Sequence, residues 1–243
     1  SIADTDVSPE ELDLRLGTRG IPQALSLTPN VYVETNGGGY DDENIAVRGF
    51  TDNYTSFLIN GIPVNDMENG NLYFSNWSVL ADIGTSIQLQ RGQSAVNLAT
   101  PSVGGTINFV SASPSQEASG SVKYLLGNGN HNKFTAKAST GLIMDGKASI
   151  MIGLGKRFAD NYGGRDGTYS DATSYYLNGF YALNDKNRFE FITLGSPQRH
   201  GHAFYNSKLK TWDHEYAQQL GDTSATEADE VGRSYNTEYN TIS

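Results

Sequence analysis

The clearest pattern in this chain lies at residues 85–111, TSIQLQRGQSAVNLATPSVGGTINFVS. Two alternating runs, IQLQ at 87–90 and TINF at 106–109, flank a segment of small residues. Alternation with a period of two is typical of a strand that is buried on one face. The stretch therefore predicts a strand, a turn and a second strand that close a first domain, because the composition changes after it.

The length and composition favour short strands over helices. The chain has 243 residues, enough for one large or two ordinary domains, and it contains 27 Gly and 14 Tyr. No segment approaches the ~18 consecutive apolar residues of a transmembrane helix. Strands remain open as membrane spans, because they cross a bilayer in about 10 alternating residues and leave a weak signal.

The charge and the cysteine count exclude several classes of function. The net charge of −10 argues against a nucleic-acid partner, since phosphate neutralisation needs clustered Lys and Arg. The absence of Cys removes disulfides, thiolate metal sites and Cys nucleophiles.

The first half has the pattern of a mixed α/β domain with about four strands. Ser8 followed by Pro9 predicts the start of a short helix, and a second brief helix is expected at 21–27. Strands are predicted at 31–33 and at 44–50, with Asn60-Gly61 as the turn of a hairpin.

The second half alternates apolar and polar residues in successive hairpins. About five strands are predicted by the period-two criterion, at 122–126, 134–142, 148–154, 175–183 and 189–194. The connections at 144–147 and 184–187 are tight turns, whereas 161–173 and the residues after 195 are expected to be long loops. Short turns at one end and long loops at the other are typical of transmembrane barrels of the outer-membrane type.

The strand count predicts an incomplete barrel. Closure takes about 8 strands, and an open sheet in lipid would leave backbone groups unpaired. We therefore expect the chain to be a fragment that ends in a loop, since the tail at 221–243 is acidic and lacks a closing strand.

Five motifs, in order, resemble the plug domain and first barrel strands of TonB-dependent outer-membrane transporters. They are PNVYV at 29–33, IAVRGF at 45–50, LINGIP at 58–63, IQLQRG at 87–92 and VGGTIN at 103–108. Asn60 departs from the family, which usually has Asp at this position of the hairpin. The INGIPVND variant with SNW downstream is similar to transporters of Bacteroidota-type bacteria.

The resemblance implies an α+β plug domain at 1–112, followed at 113–243 by the first strands of an antiparallel transmembrane β-barrel of about 22 strands. It implies a protein of the bacterial outer membrane that imports a scarce nutrient, with no enzymatic activity, cofactor or metal. The implied partners are membrane lipid, an unidentified nutrient and periplasmic TonB, whose contact is expected upstream of Ser1. A surface lipoprotein or a larger envelope complex remains open as a further partner.

The resemblance also implies roles for individual plug residues. Arg48 and Arg91 match arginines that pair with glutamates of the barrel wall, which would lie beyond Ser243. The alternative is that both are solvated arginines of a soluble domain. Five glycines are expected to serve tight turns and close approach to the wall: Gly49, Gly61, Gly92, Gly104 and Gly105.

Loops at the outer apex of the plug supply the candidates for ligand contact. Aromatic and amide side chains there can stack on a ligand or hydrogen-bond to it. The candidates are Tyr40, Asp52, Asn53, Tyr54, Asp66, Glu68, Asn69 and Trp77. The alternative is that the aromatic residues 73, 74 and 77 pack inside the plug.

Two other classes of function remain as alternatives. A soluble β-rich extracellular binding module would explain the strands, and a glycosidase of β architecture needs only two suitably spaced carboxylates. His200 and His202 share a strand face, but no third ligand with a defined spacing completes a zinc site.

Overall fold

The computed structural model describes residues 4–36, 38–78, 80–91, 102–203 and 209–231. The helices in these ranges are α1 (Pro9–Leu16), α2 (Ile21–Leu25) and α3 (His214–Gln219). The strands of the N-terminal domain are β1 (Asp4–Val7), β2 (Val31–Thr35), β3 (Glu43–Val47), β4 (Thr55–Ile59), β5 (Ile62–Pro63), β6 (Gly84–Arg91) and β7 (Gly105–Ser111). The strands of the second half are β8 (Ala118–Gly127), β9 (His131–Thr140), β10 (Ala148–Asp160), β11 (Tyr169–Asn184), β12 (Asn187–Gly195) and β13 (Gln198–Gly201). None of the helices in the described ranges is long and apolar enough to cross a membrane.

The stretch at 85–111 forms the centre of the N-terminal sheet. Strands β6 and β7 pair antiparallel, as the alternation predicted, and the sheet order is β1-β6-β7-β4-β5. Strand β4 pairs parallel to β7, and β2 and β3 form a separate two-stranded sheet. The small-residue segment at 92–101, where the turn was predicted, lies outside the described residues.

Several local predictions for this domain are confirmed. Helix α1 begins with a capping box in which the Ser8 hydroxyl accepts from the Glu11 amide and the Glu11 carboxylate accepts from the Ser8 amide. The Asn60-Gly61 turn joins β4 to β5, with φ of 51° and 80°, as a type I′ turn requires.

Two local predictions were wrong. Strand β3 ends at Val47 rather than at residue 50, because Arg48 and Gly49 both have positive φ and turn the chain. Strand β1 was missed, because four mostly polar residues give no period-two signal. It forms by pairing with β6, in a register that places Thr5 opposite Leu89.

The second half forms one antiparallel sheet, here called the wall, in the order β12-β11-β10-β9-β8. The five predicted strands are present and are longer than expected. Strand β11 begins at Tyr169, so the loop predicted at 161–173 ends five residues earlier, at 168. Past Gly195 the chain continues as β13, which also pairs with β11.

The two faces of the wall differ in chemistry. On β10 the even positions Ile150, Ile152 and Leu154 point away from the N-terminal domain and are exposed, whereas the odd positions are buried. The neighbouring strands also expose apolar side chains on this outer face, among them Val122, Tyr124, Leu126, Phe134, Tyr175, Tyr181, Phe189 and Phe191. The wall is therefore apolar on the side away from the domain.

The N-terminal domain packs on the inner face of the wall. Its hydrophobic core, which includes Phe57, Leu80, Ile87 and Phe109, is continuous with Tyr176 and Met151 of the wall, while Leu194 packs against its edge. A core shared in this way fixes the domain against the sheet, because separating the two exposes apolar surface to water.

Candidate functional site

The contact between the N-terminal domain and the wall contains a buried, hydrogen-bonded polar site. Arg157 on β10 points inward, and its Nη2 lies 2.6 Å from Oδ2 of Asp41. The same nitrogen donates to the hydroxyls of Ser78, at 3.0 Å, and Ser170, at 2.8 Å. Both charged side chains are at least 96% buried. A buried guanidinium needs such a complete set of partners, since desolvation alone would cost several kcal/mol.

A second buried ion pair lies beside the first. The Nζ of Lys133 on β9 is 2.9 Å and 3.0 Å from the two carboxylate oxygens of Asp82. Asp82 belongs to the 3₁₀ segment Leu80–Ile83, which leads directly into β6. Both pairs therefore have a wall cation and a carboxylate of the N-terminal domain.

The loop at 38–42 is held against the wall by more than the Asp41 carboxylate. The Tyr40 hydroxyl donates to the carbonyl oxygen of Asp160 at 2.7 Å and contacts that of Gly129 at 3.3 Å. Its ring packs edge-on against Tyr162, and burial raises the pKa of its phenol. Tyr40 thus joins the N-terminal domain to both connections at one end of the wall.

Glu43 lies beside these ion pairs, and among the described residues no cation forms an ion pair with it. Burial, together with the charge of Asp41, raises the pKa of the Glu43 carboxyl to about 7, although a hydrogen bond from Gln23 opposes the rise. The close packing also explains Gly20, because a side chain there would come within 2.7 Å of a Glu43 oxygen.

The opposite end of the domain is attached through neutral groups. Asn60 donates from Nδ2 to Oγ of Ser111 at 2.8 Å, and its Oδ1 accepts from the Ser111 amide. The Ser111 hydroxyl lies 2.8 Å from the hydroxyl of Tyr176 on β11, which donates to the carbonyl oxygen of Ala112. Asn178 donates to the same carbonyl and to Tyr176. An Asp at position 60 would lack the N–H group that donates to Ser111. This gives a physical reason why the chain has Asn where the transporter family usually has Asp.

The ligand-facing candidates are divided between two places. Asn53 and Tyr54 line an open cleft of about 340 Å³ together with Asn65, Gly70 and Val103. Tyr40, as described above, is turned to the wall.

The remaining ligand-facing candidates hold loops or the core, or face solvent. The Asp66 carboxylate accepts from the amides of Glu68 and Asn69. The Asp52 carboxylate accepts from the Asn53 amide, and Trp77 packs against the core. Glu68 is exposed. A ligand contact at each of these residues stays a prediction.

Asn65 begins the candidate loop at 65–77, and its side chain organises the cleft. Its Oδ1 accepts from the Phe57 amide at 2.8 Å, and its Nδ2 donates to the carbonyl oxygens of Thr55 and Gly70 at 3.0 Å. The sequence signal for this role is an Asn directly after a predicted hairpin strand.

The two arginines predicted to anchor the plug lie within the N-terminal domain. Arg48 is exposed at the turn after β3. Arg91 donates to Oγ1 of Thr5 at 2.9 Å and to the carbonyl oxygen of Pro29 at 3.1 Å, so it joins β6 to β1 and to the chain after α2. Pairing of either residue with glutamates beyond Ser243 stays a prediction.

Four of the five predicted turn glycines are described. Gly49, Gly61 and Gly105 have positive φ, and at Gly105 a side chain would come within 2.4 Å of the Gln90 carbonyl oxygen. A side chain at Gly104 would come within 2.7 Å of the Thr55 hydroxyl. Gly92 lies outside the described residues.

The histidine cluster does not have the composition of a metal site. The rings of His200 and His202 are 4.5 Å apart, and Nδ1 of His200 contacts the Gln198 side chain. Across the described ranges, no group of three or more His, Cys, Asp or Glu side chains is arranged to hold a metal ion.

Comparison with known proteins identifies the N-terminal domain. Residues 1–106 match the TonB-dependent Receptor Plug Domain family. The chain is 29% identical over 150 residues to the ferrioxamine B receptor of Salmonella typhimurium, an alignment that covers 60% of this chain and 20% of that receptor. The chain thus spans about a fifth of the curated relative that it matches.

Solved structures share the fold of both halves. The ferric-catecholate import receptor Fiu from E. coli, in its open form, superposes with a TM-score of 0.70 at 15% identity, covering 97% of this chain and 32% of that one. The ferripyoverdine receptor of the Pseudomonas aeruginosa outer membrane gives 0.66 at 19% identity, with coverages of 85% and 27%. These relatives give no support for the Bacteroidota lineage that the hairpin variant predicted.

We expect Glu43→Gln to stabilise the protein at neutral and higher pH. The pKa of this carboxyl rises from its ordinary 4.5 to about 7 on folding, so the folded state holds a proton that the unfolded state has lost. Stability contributed by the protonated group is therefore present below pH 4.5 and is lost as the pH rises through 7.

The variant should remove this loss and raise the free energy of unfolding by about 1–3 kcal/mol above pH 7, with little effect at pH 4. Thermal unfolding between pH 4 and 8 measures it, and Glu34→Gln on exposed β2 is the matched control. An equal gain in stability at pH 4 and at pH 8 would contradict the raised pKa of Glu43.

We expect Tyr176→Phe to weaken the neutral attachment. The change removes a hydroxyl that contacts Ser111, Ala112 and Asn178, and buried groups left without partners cost about 1–3 kcal/mol. Tyr181→Phe, on the outer face of the same strand, should leave the unfolding temperature unchanged. Equal effects of the two variants would show that the hydroxyl network does not hold the domain.

Proposed function

Because residues 1–106 are a TonB-dependent receptor plug domain, and the strands after them have the fold of the start of a receptor barrel, we propose that this chain is the plug and first wall strands of an outer-membrane importer. The proposed activity is TonB-dependent uptake of a scarce nutrient, with the plug closing the lumen until TonB remodels it. Covalent chemistry is not part of this activity.

The single observation that carries the proposal is the placement of the plug on the inner face of a two-faced wall. The outer face of the wall exposes aliphatic and aromatic side chains over five strands, while the inner face contacts the plug through charged and hydroxyl groups. An apolar exterior around a polar interior is the arrangement of a transmembrane barrel and the reverse of a soluble β-sandwich.

The cleft beside Asn53 and Tyr54 is the proposed ligand contact on the plug. Its lining is mostly apolar surface that includes an aromatic ring, with a few amide and hydroxyl groups, a combination that suits a partly apolar ligand held between plug and outer loops. The relatives named above are receptors for ferrioxamine B, ferric catecholates and ferripyoverdine. Ferric siderophores are accordingly the first nutrients to test.

The partners follow from the same assignment. Lipid would cover the outer face of the wall, and periplasmic TonB would be the energy-coupling partner. A surface lipoprotein or larger envelope complex remains a further candidate, and no surface among the described residues selects one.

The soluble-module and glycosidase alternatives explain less. A soluble module would place Ile152, Leu154 and Phe134 in water without a covering layer, at a cost of about 25 cal/mol per Å² of apolar surface. The match of the first 106 residues to a receptor domain favours a transporter over a hydrolase.

Uptake by the intact receptor tests the proposal. We expect cells that carry it as their siderophore receptor to accumulate ⁵⁵Fe from at least one member of a siderophore panel, including ferrioxamine B and pyoverdine. An isogenic strain without TonB should show at least tenfold less accumulation. Equal accumulation with and without TonB would refute TonB-dependent import, and cells with the empty vector provide the background.

We also expect Leu154→Lys to impair assembly into the membrane. Leu154 lies near the middle of β10 on the outer face, where a charge facing lipid costs about 2–4 kcal/mol. Asp185→Lys, in the tight turn between β11 and β12, is the matched control and should assemble normally. Heat-modified migration of outer-membrane fractions measures folded receptor, and an unimpaired Leu154→Lys would favour the soluble module.

A further inference from the structure

The inner face of the wall is basic, although the chain as a whole is acidic, with a net charge of −10. Along the described strands β8 to β11, the positions that face the plug include four cationic residues and no Asp or Glu. The cations are Lys123, Lys133, Lys137 and Arg157. The face that a ligand would pass therefore attracts anions.

Two of these cations are placed directly against each other. Arg157 and Lys133 are cross-strand partners in the β9–β10 register, and both are buried. Side chains at such positions have Cβ atoms about 5 Å apart, and like charges there are destabilising. Burial makes the repulsion worse, since water cannot screen it.

The plug supplies the carboxylates that make this arrangement stable. Asp41 binds Arg157 and Asp82 binds Lys133, and both carboxylates come from the N-terminal domain. From the wall itself, the described contacts to Arg157 add the hydroxyl of Ser170. The two cations are therefore compensated only while the plug is in place.

A third inward residue lies beside the pair. His131 occupies the inner position next to Lys133 on β9 and is 2% exposed, yet neither ring nitrogen has a hydrogen-bond partner among the described residues. Buried polar atoms are normally paired. A ligand oxygen at this place would give the ring the partner that it lacks.

We propose that Lys133 and Arg157 form an anion-binding site of the wall, which Asp41 and Asp82 occupy in the closed state. This inference rests on the proposed function and names the ligand chemistry, since a ligand with carboxylate, phosphate or similar anionic groups replaces the plug carboxylates when the plug is displaced. The guanidinium supports bidentate contact with such a group, and the ammonium adds a second charge. Exchange of one anion for another keeps both cations compensated during passage.

The test removes the plug carboxylates and offers a simple anion. In the intact receptor, purified in detergent, Asp41→Asn/Asp82→Asn should bind ³⁵S-sulfate at least tenfold more tightly than wild type, measured by equilibrium dialysis at constant ionic strength. Adding Arg157→Gln or Lys133→Gln should return the affinity to the wild-type value. Asp6→Asn/Glu34→Gln removes the same charge from exposed positions elsewhere on the plug and should not increase binding.

Sulfate binding by the double variant that is no tighter than by wild type would overturn the proposal. So would tight binding that persists after Arg157→Gln and Lys133→Gln together. Should the double variant not fold, the single variants Asp41→Asn and Asp82→Asn should each raise the affinity for sulfate. If neither raises it, the proposal is overturned. The assay needs neither TonB nor the natural ligand, so its outcome is separate from that of the uptake experiment.

Discussion

Two buried cations, Arg157 and Lys133, lie opposite each other on adjacent strands of the wall, and the plug must neutralise both. Arg157 and Lys133 are opposite each other in the register, so neither can remain charged in a dry interface unless a carboxylate meets it. Asp41 and Asp82 meet this demand from the plug. Separating the wall from the plug would leave these charges unpaired, whereas contact pairs each cation with a carboxylate. Charge pairing therefore helps to position the plug, in addition to apolar packing.

The two ends of the plug are attached to the wall by different kinds of interaction. At one end the bonds are ionic and are accompanied by Tyr40, which contacts both wall connections there. At the other end Asn60, Ser111 and Tyr176 form a neutral network next to the chain segment that joins plug to wall. Charged bonds in a lumen weaken once water or another anion reaches them, whereas the neutral network adjoins the covalent connection.

The two faces of a single wall strand carry side chains of different chemistry. Alternation along β10 puts Ile152 and Leu154 on one face and Arg157 on the other, a separation that follows from strand geometry alone. Loss of that alternation would place a charge in lipid or an apolar side chain against the polar part of the plug contact. The same periodicity that allowed the strands to be predicted therefore carries the function proposed for the chain.

The local pattern by itself determined most of the elements. The alternating runs of the wall, the helix capped by Ser8, the Asn60-Gly61 hairpin and the paired strands of 85–111 were all predicted, because periodicity and turn chemistry act over a few residues. The attachment of plug to wall was not. Pairing of Arg48 and Arg91 with glutamates beyond Ser243 stays a prediction. The plug–wall ion pairs in the described part of the chain were not foreseen, and they join Asp41 to Arg157 and Asp82 to Lys133. Asp41 and Arg157 are 116 residues apart in the chain. No local pattern encodes which of many scattered charges will meet, because their pairing depends on strand register and on how the plug is seated, and only the tertiary structure decides both.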